Sequence, residues 1–204
     1  MTADLDLFDV AGLEPAVAQA VRRIGISGFW ALWSGQNTTL PQLLGDDSRA
    51  VSEAAAYLRS RGRLELSESG ELVAVHGLVR RPTQHRIEHD AGTVNTWCAL
   101  DAIGIPAALA IDARARTGCA TCGVELAVSL SGGVPDPAPE AVLWYPEVRH
   151  GHLVDDFCAG ANLFCSSGHL DDWRASAGTE GAVLTVDEVA ELGREAWSDV
   201  AGEA

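Results

Sequence analysis

The run Thr96-Trp97-Cys98-Ala99-Leu100-Asp101 sets a thiol and a carboxylate three residues apart inside an apolar stretch. Residues at that spacing share a face if the segment is helical. A cysteine ligates soft metals or acts as a nucleophile only as its thiolate, and a carboxylate beside it can accept and later return a proton. One thiolate alone binds soft metals poorly, so a chemical role for Cys98 requires a second cysteine that folds back onto this helix. Cys158, in Asp155-Asp156-Phe157-Cys158, is the candidate. The plainer alternative is a helix with a buried thiol and a surface acid.

The segment before residue 77 has its own organisation. Val17, Ala20, Val21, Ile24, Ile26, Phe29, Trp30 and Leu32 follow helical periodicity, and Gly25-Ile26-Ser27-Gly28 predicts a break within it. Thr38-Thr39-Leu40-Pro41 caps a short helix ending near Gly45. Asp46-Asp47-Ser48 caps a longer one with Val51, Ala54, Ala55 and Leu58 on one face, stopping at Gly62. Leu64-Glu65-Leu66 and Leu72-Val73-Ala74-Val75 flank a polar turn as a hairpin does. Helix, turn, helix, hairpin is the winged-helix pattern. The expected class is therefore α+β, with a winged-helix-like N-terminal part over residues 1–76 and a mixed sheet-and-helix catalytic domain over residues 77–204.

A winged helix commonly reads DNA, and Arg49, Arg59, Arg61 and Arg63 supply some positive charge. Residues 1–76 nevertheless hold six arginines against ten acids, a net of 6 − 10 = −4, and the whole chain has a formal charge of −15. That balance argues against nucleic acid and anionic membranes as partners and favours a structural lid or packing role for the N-terminal part. The start, Met1 to Val10, lacks the basic and apolar regions of an export signal, and no segment holds 18 uncharged apolar residues. A cytoplasmic protein with reduced thiols is the expectation, the five cysteines being an odd number.

Downstream, Gln84 to Glu88 alternates as a strand, and the Cys98 helix should not run far past Pro106. Val124 to Leu130 alternates after a turn at Gly118 to Gly123, Gly132 to Pro139 marks a loop, and Ala141 to Pro146 reads as a strand. Helical patterns close the chain near Leu170 to Ala177 and Asp187 to Val200.

Cys119-Ala120-Thr121-Cys122 has the spacing of half a zinc site, but a structural site needs four ligands. No second cysteine pair follows, and single members would have to come from Cys165, His150 or His152. A turn with incidental thiols is favoured over structural zinc, and His150-Gly151-His152 reads as an exposed loop. The chain has no glycine-rich phosphate loop and no serine nucleophile elbow.

The run Trp97-Cys98-Ala99-Leu100-Asp101, followed by Pro106-Ala107 and Ala113-Arg114, resembles the signature of the bacterial organomercurial (alkylmercury) lyases. Phe157-Cys158 resembles the family's second active-site cysteine, and Cys119 its third, structural one. Asp172-Trp173, Glu188, Leu192-Gly193 and Glu195 resemble its closing segment. The similarity covers about residues 84 to 196. It departs at Asn95, where the family has tyrosine, in Ala159-Gly160-Ala161-Asn162 after Cys158, and in the additional Cys122 and Cys165. The resemblance implies an enzyme that cleaves carbon–mercury bonds, with Cys98 and Cys158 as thiolates on mercury and Asp101 as the proton shuttle. Product Hg(II) would be held by Cys98, Cys158 and Asp101 and passed to external thiols, with cellular thiols or a mercuric reductase as acceptor. An apolar pocket would admit the organic group and raise the carboxyl's pKa. The departures leave room for a non-catalytic metal-binding protein or metal-responsive regulator of the same fold.

Overall fold

The computed structural model describes residues 8–46, 48–136, 140–147, 152–178 and 180–203. Helix α1, Pro15–Trp33, starts with proline in its first turn and runs unbroken through Gly25 and Gly28. Those glycines serve close packing instead of the expected break. A Cβ at Gly25 would lie 2.2 Å from Nε2 of His76, and one at Gly28 would lie 3.2 Å from Val75. Thr39 and Gln42 form the capping box of α2, Leu40–Leu44, and the Ser48 hydroxyl caps α3, Arg49–Ser60. Val51, Ala54, Ala55 and Leu58 of α3 join Val17, Val21, Ile24 and Phe29 of α1 in the core. The hairpin β1, Leu64–Leu66, and β2, Leu72–Val75, pairs Leu64 with Val75.

His76 and Gly77 then turn the chain with positive φ, 44° and 93°. After them come β3, Leu78–Val79, β4, Arg86–His89, and β5, Gly92–Thr96. These join β6, Ala113–Gly118, β7, Glu125–Ser131, and β8, Val134–Pro135, in one antiparallel sheet of order β1-β2-β3-β5-β4-β6-β7-β8. The boundary drawn at residue 76 falls at the β2–β3 turn, and hydrogen bonding passes through it: Val75 pairs with Leu78, and Leu78 with Thr96. A second, three-stranded sheet sets β9, Val142–Pro146, between β10, Leu163–Phe164, and β11, Gly181–Thr185.

Helix α4, Ala99–Ala108, is the buried centre of the fold, with every residue from Ala99 to Ala107 withdrawn from solvent. A helix apolar on all faces can only be an interior one. Burying Leu100, Ile103 and Ile105 contributes about 1.5–3 kcal/mol each. As expected, it ends two residues past Pro106, with Ala110 turning the chain at a positive φ of 51°. On one side α4 packs against α6, Val186–Ala196, so closely that a Cβ at Gly193 would sit 2.1 Å from the Gly104 Cα. Two further helices, α5, Ser167–Ala177, and α7, Ser198–Ala201, complete the chain. Trp197, between α6 and α7, donates its indole N–H to the His76 carbonyl at 3.0 Å, tying the C-terminal end to the β2–β3 turn. Mixed helices and antiparallel sheets make the fold α+β, as expected. No described helix is long and apolar enough to cross a membrane.

Candidate active site

Cys98 is not inside α4 but is its N-cap, with extended backbone at φ −144° and ψ 177°. Asp101 occupies the third helical position, and its carboxylate closes a capping box. Oδ2 of Asp101 accepts the Cys98 backbone N–H at 3.0 Å and the Cys98 thiol at 3.2 Å. The three-residue spacing thus works through helix capping and not through a shared helix face. Nor is Asp101 a surface acid, being 5% exposed, while Cys98 is fully buried.

The β2–β3 turn supports the carboxylate from beneath. A Cβ at Gly77 would lie 3.0 Å from the Asp101 Cγ and 3.1 Å from Oδ1, so both the positive φ and the close approach demand glycine. The Gly77 carbonyl also accepts the Trp97 N–H at 2.9 Å. Nothing in the local sequence pattern marks Gly77, because its neighbour Asp101 is distant in the chain.

Cys158 ends a π-helical turn, Leu153–Cys158. Such turns re-aim side chains and are frequent at functional sites. Phe157 anchors this one edge-on against Tyr145 with ring centroids 5.0 Å apart, and the Ala99 N–H donates to the Ala161 carbonyl at 3.3 Å, binding the segment to the start of α4. The sulfurs of Cys98 and Cys158 and a carboxylate oxygen of Asp101 lie within 4.8 Å of one another. All three residues expected to act together are therefore adjacent.

Burial governs their charge. It raises the Asp101 carboxyl to about 7 against the opposing hydrogen bonds from the Cys98 thiol and the Cys98 and Trp97 backbone N–H groups. Burial, then the Cys158 thiol and the Asp101 charge, push Cys98 well above the ordinary thiol value. For Cys158, the bond with Cys98 pulls downward, but burial and the Asp101 charge outweigh it and its pKa is raised. The resting site holds two neutral thiols beside a carboxyl that titrates near neutrality.

A cleft of about 260 Å³ reaches Cys158 between Thr83, His85, Trp97, Val154 and Asn162. Its lining is more polar than the apolar pocket expected from sequence. His85 stays neutral there, burial lowering its pKa to about 4, with Nδ1 2.5 Å from the Thr117 hydroxyl.

The remaining thiols gather elsewhere. Ligand atoms of Cys119, Cys122, Cys165 and His169 lie within 4.8 Å of one another. Burial raises the Cys119 pKa, but the backbone N–H groups of Cys122, Cys165 and Thr121 and the His169 ring outweigh it and bring it down to about 6. The histidine of this group is His169, not either member of the His150-Gly151-His152 pair. His150 lies outside the described residues, and His152 sits with Nδ1 2.9 Å from Asp155. The spacing Cys165-x-x-x-His169, two soft-metal ligands four residues apart, was the available signal.

Residues 78–198 match the family model described as alkylmercury lyase. Among curated relatives, the chain is 28% identical to an alkylmercury lyase of Staphylococcus epidermidis over 80% of its own length and 76% of that protein's. It is 30% identical to one of Pseudomonas putida over 60% and 58% of the two chains, and 25% identical to one of Streptomyces lividans over 80% and 76%. The crystal structure of the mercury-bound form of MerB2 superposes with a TM-score of 0.84 at 20% identity, covering 98% of this chain and 100% of that one, a likeness of fold.

Proposed function

The chain belongs to the alkylmercury lyase family, and from that premise we propose that it releases hydrocarbon from organomercurials by protonolysis, with Cys98 and Cys158 on mercury and Asp101 moving the proton. The observation that carries this reading is the single Asp101 oxygen that accepts both the thiol and the backbone N–H of Cys98, 3.2 and 3.0 Å away, with Cys158 alongside.

Cys158 lines the cleft and so meets the substrate first. In R–Hg–SR′, its sulfur replaces the incoming thiolate, and its proton leaves with that departing group as R′SH. Cys98 then adds to mercury while its proton passes to Asp101 Oδ2 along the existing hydrogen bond. The result is an anionic R–Hg with two sulfur ligands facing a neutral carboxylic acid. Two thiolates push electron density toward carbon, and Asp101 delivers the proton that breaks the bond, leaving RH and Hg(II) on Cys98 and Cys158. A carboxyl near 7 suits both halves, since it can accept a proton at neutral pH and is acid enough to give it back. High thiol pKa values keep the unliganded site from holding three negative charges in one buried space.

Product release needs ligand exchange with external thiols, either small cellular thiols or those of a mercuric reductase. No organic cofactor has a step in this scheme. The N-terminal helices and hairpin act as a winged-helix-like packing module, supported by the seating of α1 on the hairpin and of Gly77 under Asp101. Purified protein given phenylmercury and excess thiol should release benzene over many turnovers. Stoichiometric uptake of phenylmercury without benzene would sink the proposal and leave a binding protein or regulator.

A further inference from the structure

The loop between β6 and β7 carries Cys119 and Cys122, the chain leaving β10 carries Cys165, and the first turn of α5 carries His169. The Sγ atoms of Cys122 and Cys165 are 3.9 Å apart, and Nδ1 of His169 lies 3.7 Å from the Cys119 sulfur and 3.0 Å from that of Cys165. A tetrahedral zinc with bonds of about 2.3 Å to sulfur and about 2.0–2.1 Å to nitrogen separates its sulfurs by about 3.8 Å and sulfur from nitrogen by about 3.6 Å. The Cys122–Cys165 edge lies close to the first length, and the two sulfur–nitrogen edges fall on either side of the second. Uncharged side chains packed for van der Waals contact alone have no reason to aim four ligand atoms at one point.

The backbone is arranged for the same purpose. Cys119 and Cys122 sit three residues apart on one tight turn. The loop that allows this is closed by the Gly123 N–H on the Cys119 carbonyl at 2.8 Å and by the Cys119 N–H on the Val124 carbonyl at 2.9 Å. It is held to the other half by the Ala120 N–H on the Leu163 carbonyl, 3.2 Å, and by the Thr121 hydroxyl on the His169 carbonyl, 2.7 Å. Cys119 also joins Trp144, Phe164 and Leu170 in a small core separate from the main one. A group of that size holds little apolar area, and small cores commonly rely on a metal or a disulfide.

We propose that Cys119, Cys122, Cys165 and His169 bind one structural Zn(II), which fastens the eight-stranded sheet to the three-stranded sheet and α5. Three thiolates and one imidazole leave no open position, the pattern of a closed structural site and not of a catalytic one. Soft sulfur donors in tetrahedral disposition select zinc over magnesium or calcium. The site is independent of the mercury chemistry. It nevertheless fixes Cys165, seven residues beyond Cys158, and so holds one end of the segment that carries the cleft thiol.

The test uses the full chain, purified under reducing conditions without added metal, with zinc measured by elemental analysis. One zinc per chain is expected in the parent and in the Cys98→Ser, Cys158→Ser double variant, and a loss of at least about tenfold in Cys122→Ser, Cys165→Ser and His169→Ala. Removing zinc with a chelator should lower Tm by on the order of 10 °C and readdition should restore it. Cobalt(II) added to the metal-free chain should give intense tetrahedral bands with sulfur charge transfer. If a variant does not fold, cobalt titration of the metal-free parent still decides. Absence of zinc together with weak octahedral cobalt bands overturns the proposal. So does zinc that disappears in the Cys98, Cys158 double variant, or a Cys122–Cys165 disulfide found in place of metal.

Discussion

Asp101→Asn should make the protein more stable and nearly inactive, and the two effects have one cause. The folded carboxyl titrates at about 7 against 3.8 for the model value, a raised pKa, so the native state binds the proton more tightly than the unfolded chain. Stability tied to that proton is fully present below about pH 4 and is lost as pH rises toward 7. At about 1.4 kcal/mol per pH unit, the loss amounts to about 4 kcal/mol by pH 8. Asparagine carries no charge to desolvate, and its amide oxygen can still accept the Cys98 N–H that caps α4. For a chain of this length, the variant should melt on the order of 10 °C above the parent at pH 8, with the gap closing below pH 4. Hydrocarbon release should fall by about 10²–10⁴-fold, since an amide neither takes the thiol proton nor returns it to carbon. Thermal melting of both proteins from pH 4 to 8, beside a turnover assay, measures both. A variant less stable than the parent at pH 8, or a melting difference independent of pH, would refute the desolvated-carboxylate reasoning.

Cys98→Ser and Cys158→Ser should each remove turnover, because a hard, high-pKa hydroxyl cannot replace thiolate on mercury. With the substrate entering at Cys158, Cys98→Ser should still take up one equivalent of organomercurial, whereas Cys158→Ser should take up far less at this site; equal uptake by the two contradicts the order of steps. Gly77→Ala should cost about 1–3 kcal/mol, read as a lower Tm, and slow hydrocarbon release, since it combines φ 93° with a Cβ 3.0 Å from the Asp101 Cγ. Parent-like melting and rate would show that the turn does not support the carboxylate. The parent's kcat/KM should rise with pH and level off above about 7, because Asp101 must begin as a carboxylate; a flat profile from acid to neutral pH argues for another base.

The sequence made the Cys98–Asp101 relation visible because it is local, and it supplied Cys158 through the need for a second thiol and the family resemblance. What escaped were properties set by contacts distant in the chain. Gly25 and Gly28 look like helix breakers until His76 and Val75 are seen to occupy the space a side chain would need. Cys98 as N-cap and Asp101 as capping carboxylate follow from a three-residue spacing that also fits a helix face, and only the extended backbone at Cys98 separates the two. The two-residue strands β3 and β8 carry too few positions to show alternation. Strand β5 reads Gly-Thr-Val-Asn-Thr, with no apolar face to report it. His169 went unnoticed because its partners come from the β6–β7 loop and the exit of β10, which only the packing of the two sheets brings together.

The most direct measurement of the proposed mechanism is a single turnover in D₂O, with protein and methylmercury equimolar and no external thiol. The account predicts close to one CH₃D per chain, its deuterium delivered through Asp101, with inorganic Hg(II) left on the protein and two fewer thiols free to react. Methylmercury recovered intact from the protein, with no methane in the headspace, would contradict it.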